Sequence, residues 1–395
     1  MKIEFYKETE FKDTEIGRIP KDWEVSKLEK VLTFKNGRRP VISENGNIPI
    51  FGANGIMGFT NDFLVENDFT LVIGRVGASG QVHLGKGKLW VSDNAIYTEK
   101  YDKEIIYLPF LYYLLIYKKL NQYSSKTTHP IITQTFLNNF FVSFPPLLEQ
   151  KAIAEILSTV DEAIQKTNEV IAKTERLKRG LMQELLTKGI GHKEFKDTEI
   201  GRIPKDWEVV RLGNIAKIIM GQSPSSSTYN KESKGLPFLQ GKMDFGELYP
   251  TPILYCSQPI KVAEPNDILI SVRAPVGDVN VAPFKLCIGR GLAAIRFNPQ
   301  RAIYWFYFYY LQKIKNFLEN LGKGSTFKAI TKDDLENLKI PYLSFPEQQK
   351  IAEILSTVDK KLEIERKEKA KLERIKQGLM DLLLTGKVRI KLKET

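Results

Sequence analysis

The sequence has no run of about 18 apolar residues, the length that a membrane-spanning helix needs. Its first residues also lack the apolar core of a signal peptide, so we expect a soluble, cytoplasmic protein. It contains only two cysteines, Cys256 and Cys287, and their spacing fits no metal-binding motif. In the cytoplasm both thiols would remain reduced.

Residues with catalytic chemistry are also scarce. The three histidines, His83, His129 and His192, are too scattered for a catalytic triad or a metal site. Residues 322–326 (GKGST) are rich in glycine but lack the spacing of a phosphate-binding loop. The chain contains no glycine-rich dinucleotide turn and no base-methylation motif. We therefore expect a protein that is not an enzyme and has no metal or cofactor site of its own.

Positive charge is in excess, with 59 lysines and arginines against 47 aspartates and glutamates and a formal net charge of +12. Such a balance suits a polyanionic partner such as nucleic acid. A lysine-rich surface that keeps the protein in solution would give the same composition. Charge alone therefore leaves both interpretations open.

Two strings occur twice without change. Residues 11–25 (FKDTEIGRIPKDWEV) return at 195–209, and residues 153–161 (IAEILSTVD) return at 351–359. The chain is therefore a tandem repeat of one unit. The first pair is offset by 184 residues and the second by 198, so the second copy has 14 extra residues between its two strings. We call residues 11–25 and 195–209 the opening strings.

The repeat predicts an α+β fold that uses the same plan twice. Short segments bounded by Gly and Asn turns predict two mostly β globular domains, residues 1–144 and 191–343, each with an internal helix. Long helices with heptad apolar patterns should follow at 145–190 and 344–395, the second ending in a basic, strand-like tail. Neither helix can bury its apolar stripe alone. We expect an antiparallel coiled coil that separates the domains, with pseudo-twofold symmetry.

Finer expectations concern the helix seam and the chain ends. The predicted seam includes Leu177, Ile375 and Leu382. Residues 1–10 are interpreted as a polar lead-in. Pseudo-symmetry nevertheless requires them to lie beside the tail at 386–395.

Matching the two domains places polar residues of different types on a shared framework. Residues 37–40 (GRRP) fall on 221–224 (GQSP), Arg75 falls on Arg273, and Asn94 falls on Leu292. Two domains that recognise different targets would show this pattern, although sequence divergence of a redundant copy would look similar. Arginine can bind guanine bidentately and Asn or Gln can bind adenine, whereas Ser, Thr and Lys reach phosphates.

These chemistries give a set of predicted DNA-binding residues on the loops of both domains. For each of them, an ordinary surface residue or a structural ion pair is the alternative. The set is Arg38, Arg39, Arg75, Asn94 and Lys126 in the first domain, and Gln222, Ser223, Lys242, Arg273, Arg290 and Lys323 in the second.

The order of these motifs resembles the specificity (S) subunits of type I restriction-modification enzymes. The matching segments are the opening strings up to Trp23 and Trp207, residues 146–151 and 345–350 before the helices, and residues 177–182 with 375–380. The resemblance covers essentially the whole chain. It implies two target-recognition domains, each reading one half of a split, asymmetric site in double-stranded DNA.

The same resemblance implies partners. The helices would act as a spacer and as a docking surface for two methylation (M) subunits, and two restriction (R) subunits can join them. An S subunit has no catalytic residue and no cofactor. S-adenosylmethionine, ATP and Mg²⁺ would be bound by the partner subunits only.

Two other functions fit part of the sequence. A stand-alone sequence-specific DNA-binding regulator, built as a fused pseudo-dimer, would need no methylation subunit, so copurification distinguishes it. A coiled-coil adaptor with no DNA role would leave the basic charge and the paired variable domains unexplained. A gel-shift experiment would exclude that adaptor.

Overall fold

The computed structural model describes residues 2–123, 131–321 and 329–393. The chain divides into two compact units: unit 1 comprises residues 1–168 and 367–395, and unit 2 comprises residues 169–366. Each unit therefore contains one β-rich domain and one part of each long helix. In the described ranges, no helix is long and apolar enough to cross a membrane.

The elements alternate as the repeat predicts, with strands grouped before each long helix. In the first half of the chain they are β1 (Lys2–Lys7), β2 (Phe11–Thr14), β3 (Gly17–Pro20), β4 (Glu24–Lys27), β5 (Leu32–Asn36), β6 (Ile48–Gly52), β7 (Gly55–Thr60), β8 (Val65–Gly74), β9 (Val82–Val91), β10 (Ala95–Tyr101), α1 (Leu108–Tyr117), α2 (Gln134–Asn138), β11 (Phe141–Phe144) and α3 (Leu147–Lys188).

The second half repeats this order with more and shorter strands. They are β12 (Phe195–Thr198), β13 (Gly201–Pro204), β14 (Glu208–Arg211), β15 (Ala216–Met220), β16 (Tyr229–Asn230), β17 (Leu236–Leu239), β18 (Leu254–Cys256), β19 (Val262–Ala263), β20 (Ile268–Ser271), β21 (Val279–Val281), β22 (Leu286–Ile288), β23 (Leu292–Phe297), α4 (Tyr304–Lys313), α5 (Lys315–Leu321), α6 (Lys332–Asn337), β24 (Lys339–Tyr342), α7 (Phe345–Leu383) and β25 (Val388–Lys393).

Each unit is built from mainly antiparallel sheet, one face of which packs on the internal helix. In unit 1 the strand order is β5-β10-β8-β9-β6-β7, with β6 and β9 parallel. In unit 2 the strands form a sheet β15-β23-β20-β21 and a sheet β16-β18-β17-β22-β19. The runs at 71–73 and 268–270 are fully buried, because their alternate side chains enter two different cores. In unit 1, Leu71 and Ile73 pack in the core that contains the internal helix and Val72 packs in a separate core. In unit 2, Ile268 and Ile270 pack with the internal helix and Leu269 packs in a separate core. The predicted pair of mostly β domains with internal helices is confirmed.

A buried glutamine fixes the start of each long helix. The Gln150 side-chain oxygen accepts a hydrogen bond from the Tyr107 amide (2.8 Å), and its NH₂ group donates to the carbonyls of Ile105 and Pro145 (2.9 Å each). Gln348 accepts from the Ile303 amide in the same way (2.9 Å). Both glutamines are completely buried, so these bonds replace the water that the amide would otherwise need.

In unit 1 the domain holds both helices through one aspartate of the repeated string. The Tyr113 hydroxyl on α1 donates to Asp161 on α3 (2.9 Å), and Lys376 on α7 forms an ion pair with the same carboxylate (2.6 Å). The Lys376 ammonium also lies 5.6 Å from the centre of the Tyr113 ring. Burial and the neighbouring carboxylate both raise the pKa of Tyr113, so this hydroxyl remains a donor.

Unit 2 repeats this arrangement with the helices exchanged. The Tyr309 hydroxyl donates to Asp359 on α7 (2.6 Å), and Lys178 on α3 forms an ion pair with that aspartate (2.6 Å). Because Asp161 and Asp359 close the two identical nine-residue strings, this contact explains why the strings end in aspartate. The paired segments of α3 and α7 run antiparallel within each unit. In unit 1, Asp161 pairs with Lys376, while Leu157, earlier on α3, shares a core with Met380, later on α7. In unit 2, Lys178 pairs with Asp359, while Leu186, later on α3, shares a core with Leu355, earlier on α7.

The chain ends form a two-stranded sheet in unit 1. β1 pairs antiparallel with β25 over residues 2–7 and 388–393. The predicted closeness of these ends is therefore confirmed, and the segment interpreted as a polar lead-in contains a strand that was not predicted. The partner strand is far away in the sequence, so no local pattern could reveal the pairing.

The sheet of the chain ends carries a buried arginine. Arg389 is 3% exposed, and its guanidinium bonds to the carboxylates of Glu149 (2.7 Å), Asp22 (2.7 Å) and Glu8 (2.7 Å). It also lies over the ring of the buried Trp23, at 5.8 Å from the ring centre. This cluster attaches the end of the chain to an opening string and to the start of α3.

The predicted helix seam was partly wrong. Thr174 is buried, but the seam positions Leu177, Ile375 and Leu382 are 55%, 42% and 40% exposed. The helices also pack against the globular domains, so the buried face follows those contacts rather than a regular heptad. Apolar side chains of the helices therefore remain open to solvent in each unit.

Candidate nucleic-acid interface

Backbone hydrogen bonds gather four loops of unit 1 into one place, which we call the first loop cluster (residues 37–39, 52–55, 74–76 and 91–95). The Arg38 amide donates to the carbonyl of Val91 (2.8 Å), and the Arg75 amide donates to that of Asn94 (2.8 Å). The Ser92 amide donates to the carbonyl of Phe51 (2.8 Å). The loop between β9 and β10 is therefore the common anchor of the other three.

Unit 2 has an equivalent second loop cluster (residues 221–223, 239–242, 271–273 and 288–292). Here the loop between β22 and β23 is the anchor. The Gln222 amide donates to the carbonyl of Ile288 (3.0 Å), and the Val272 amide donates to that of Gly291 (2.9 Å). The Gly289 amide donates to the carbonyl of Leu239 (2.7 Å).

The first loop cluster brings together four residues that the sequence analysis predicted to bind DNA. The side chains of Arg38, Arg39 and Asn94 are exposed, and Arg75 is half-buried. Trp90 fixes the arginine loop, because its indole N–H donates to the carbonyl of Arg38 (2.9 Å). The fixed loop presents two guanidinium groups beside Asn94 and Arg75, so the cluster can offer both bidentate donors and an amide to a base edge.

The second loop cluster contains Gln222, Ser223, Arg273 and Arg290. The Arg290 amide donates to the Ser223 hydroxyl (3.3 Å), which links the two loops that carry these residues. Gln222, Arg273 and Arg290 are exposed. The second cluster therefore offers an amide at the position where the first offers Arg38.

Lys242 lies in the same cluster but is held in an ion-pair network. Its ammonium and that of Lys315 both bind the Asp278 carboxylate. Partial burial tends to raise the pKa of Asp278, but the hydrogen bonds from the two lysines outweigh it and hold this pKa below its usual range. Lys242 thus serves at least a structural role, which was the alternative considered for every predicted contact.

The matched hydrogen bonds correct the alignment of the two domains. The Ile132 amide donates to the carbonyl of Arg75, and the Ile330 amide donates to that of Val272. Arg75 therefore corresponds to Val272, and Arg273 corresponds to Val76, which forms the equivalent isolated bridge. By the same bonds Asn94 corresponds to Gly291 rather than to Leu292.

The error comes from treating the offset between the two copies as constant. All the extra residues of the second copy were placed before these strands, but the matched hydrogen bonds show an offset that changes along the chain. It is 197 residues for Gly74 and Ser271, 196 for Tyr107 and Ile303, and 198 for Ile132 and Ile330. Because successive side chains of an extended chain point to opposite sides, Arg75 and Arg273 are not equivalent readers.

Two predicted residues, Lys126 and Lys323, lie outside the described residues. The turn at residues 52–55, which follows β6, was not predicted to contribute to the first cluster, and only Lys242 was predicted from the equivalent turn at residues 240–242, which follows β17. In unit 1 an Asn-Gly pair, Asn54 and Gly55, marks a hairpin turn and could have indicated it. Across residues 2–123, 131–321 and 329–393, no group of His, Cys, Asp and Glu side chains is arranged to hold a metal ion.

Comparison with known proteins identifies relatives over the whole chain. The family model described as the type I restriction modification DNA specificity domain matches residues 20–176 and 204–374. The type I restriction enzyme MjaX specificity subunit of Methanocaldococcus jannaschii is 45% identical, over 98% of this chain and 99% of its own. The MjaVIII specificity subunit of the same organism is 30% identical, over 98% of each chain.

Solved structures show the same architecture. The S subunit of a type I restriction-modification system from M. genitalium covers 91% of this chain and 96% of its own length, with a TM-score of 0.69. At 20% identity this likeness concerns the fold alone. A chain solved in work on the assembly and conformational transition of a type I system is 29% identical, with a TM-score of 0.55, and covers 93% of this chain and 99% of its own.

Proposed function

Because the chain belongs to the family of type I restriction-modification specificity subunits, we propose that each unit reads one half of a split, asymmetric DNA site. One observation carries this proposal. Equivalent backbone positions in the two loop clusters hold Arg38 in unit 1 and Gln222 in unit 2, and both side chains are exposed. Arginine selects guanine and glutamine selects adenine, so the two halves should differ.

Methylation mapping tests this function. DNA from the host with and without the gene is sequenced for methylated bases. We expect a two-part motif with different halves that disappears without the gene. A palindromic motif would contradict separate reading by two different domains, and an unchanged methylation pattern would contradict a role in restriction-modification.

The proposal includes the subunits that supply the chemistry. The S subunit itself catalyses no step. Two methylation subunits dock on it, and two restriction subunits can join this complex. S-adenosylmethionine, ATP and Mg²⁺ would be bound by these partners. The complex would act on DNA in the cytoplasm. The excess of positive charge supports DNA as the partner.

Surface repetition supports two copies of one partner. In each opening string only an isoleucine, a proline and a tryptophan are buried, yet the exposed residues are also identical, including Arg18 and Arg202. Arg18 and Arg202 each lie over a phenylalanine ring of their own string, at 5.0 Å and 5.5 Å from the ring centre. Core packing does not require identity at the exposed positions, whereas two copies of one partner would. Exposed apolar residues of the helices, Leu177, Ile364 and Ile375, offer further docking surface.

Copurification and stoichiometry test the docking proposal. We expect the unmodified chain to bind two methylation subunits, and Arg18→Glu or Arg202→Glu to lower this number to one. Lys30→Glu, which reverses another exposed charge of unit 1, is the control and should leave two. Recovery of a folded chain that binds its DNA site without any methylation subunit would favour a stand-alone regulator instead.

A further inference from the structure

The turn that follows β6 in unit 1 and the turn that follows β17 in unit 2 are each held to their loop cluster by hydrogen bonds. In unit 1 the Ala53 carbonyl accepts a hydrogen bond from the imidazole Nε2 of His83 (3.2 Å), next to the Ser92–Phe51 bond. In unit 2 the Gly291 amide donates to the carbonyl of Gln240 (3.2 Å). Both turns therefore have a fixed backbone at the centre of the cluster.

Two glycines show how closely these turns approach the neighbouring loops. A Cβ atom at Gly74 would lie 2.8 Å from the Ala53 carbonyl oxygen, and one at Gly291 would lie 2.5 Å from that of Gln240. Both distances are shorter than any normal contact of a carbon and an oxygen atom. The turn in unit 1 thus packs directly on the loop that carries Arg75, and the turn in unit 2 packs on the loop that carries Arg290. Both arginines are predicted DNA contacts.

Each turn presents one amide side chain to solvent. Asn54 and Gln240 are exposed, and within the described parts of the chain neither side chain has a hydrogen bond. An amide on a fixed backbone loses little conformational freedom on binding. Asn and Gln side chains match adenine, donating to N7 and accepting from the N6 amino group.

We propose that Asn54 and Gln240 are further specificity-determining residues, each of which reads an adenine in the major groove of one half-site. This inference rests on the proposed function. The two residues occupy different positions of the equivalent turn, because Gln240 corresponds to Gly52 and Asn54 corresponds to Lys242 by the matched bonds. Their adenines should therefore fall at different places in the two halves.

The test measures base preference for the full chain in complex with its methylation subunits, by selection from DNA with randomised half-sites. In Gln240→Ala, discrimination at one adenine of the second half-site should fall by about 5- to 150-fold, equivalent to roughly 1–3 kcal/mol. The first half-site should be unchanged. Asn54→Ala should show the converse, so each variant serves as the control for the other half.

Two further variants sharpen the result. Gln240→Glu keeps the shape but can only accept hydrogen bonds, so the preferred base should change from adenine to cytosine, whose N4 amino group donates. Gln300→Ala removes an exposed amide from the turn that follows β23, at the end of this strand away from the cluster, and should change nothing.

Two outcomes would overturn the inference: equal weakening for all DNA sequences, or unchanged base preference in both alanine variants. Failure of the proposed function looks different. In that case the unmodified complex itself would show no two-part base preference, before any variant is compared.

Discussion

Replacement of Arg389 by Met should strongly destabilise unit 1. The change leaves three carboxylates without their common cation. Glu149 has a side chain that is only 7% exposed, whereas the Asp22 side chain is 55% exposed and can regain water. Removing one partner of a buried ion pair costs about 3–5 kcal/mol, while an exposed pair contributes about 0–1 kcal/mol. We therefore expect a loss of about 3–5 kcal/mol, mostly from Glu149.

Equilibrium unfolding in urea measures this loss, and hydrogen exchange locates it. The amides of β1 and β25 should exchange faster by about two to three and a half orders of magnitude, since 1.4 kcal/mol corresponds to a factor of ten. Lys391→Met, two residues along the same strand but exposed, is the matched control and should cost less than about 1 kcal/mol.

A second change separates charge from packing. In the Arg389→Met background, Glu149→Gln removes the uncompensated charge and should recover part of the loss. A decrease of less than about 1 kcal/mol for Arg389→Met would refute the reasoning, because the buried carboxylate would then need no cation. No recovery on adding Glu149→Gln would show that lost packing over Trp23 dominates.

Three further predictions concern contacts described above. The guanidinium of Arg389 lowers the pKa of Asp22 against the opposing effect of burial. The stability that this ion pair contributes is present above about pH 4 and is lost as the pH falls through the lowered pKa. The difference in unfolding free energy between the parent and Arg389→Met should therefore shrink in acid, and a constant difference would contradict this prediction. Tyr309→Phe should lower the free energy of unfolding in urea by about 1–3 kcal/mol, because it leaves Asp359, whose side chain is 6% exposed, without its hydroxyl donor. Tyr113→Phe should lower it by less, because the side chain of its partner Asp161 is 32% exposed. Equal losses would contradict this ranking. Gly291→Ala should push its loop away from the Gln240 turn and lower the free energy of unfolding by about 1–3 kcal/mol. Base preference should become weaker in the second half-site only. Unchanged preference there would argue against close packing of the cluster.

The long helices and the two β-rich domains could be predicted because their signals are local or repeated. A 42-residue helix and a 39-residue helix follow from apolar spacing, and the two unchanged strings reveal the duplication. The contacts of Asp161 and Asp359 explain one of these strings. The role of Gln150 was not predicted, because two of its three backbone partners, Ile105 and Tyr107, lie more than 40 residues away in the sequence.

The candidate site was predicted less completely than the fold. The loops of Arg38 and Asn94 come together in unit 1, and those of Gln222 and Arg290 come together in unit 2. The roles of these residues as DNA contacts remain predictions. The alignment of Arg75 with Arg273 failed by one residue, because both follow similar apolar strands and a one-residue change of offset leaves no local signal. Only the backbone hydrogen bonds around the two clusters locate it.

The central claim is that each domain reads its own half-site, and a domain replacement tests it most directly. Residues 26–152 are replaced by residues 210–350, so that both junctions fall at strings that are identical in the two copies. The new chain carries the second domain twice and keeps both opening strings and both helices. Methylation mapping should then give a motif in which the second half-site occurs twice. Retention of the original asymmetric motif, or loss of all sequence preference in a folded and assembled complex, would contradict the account.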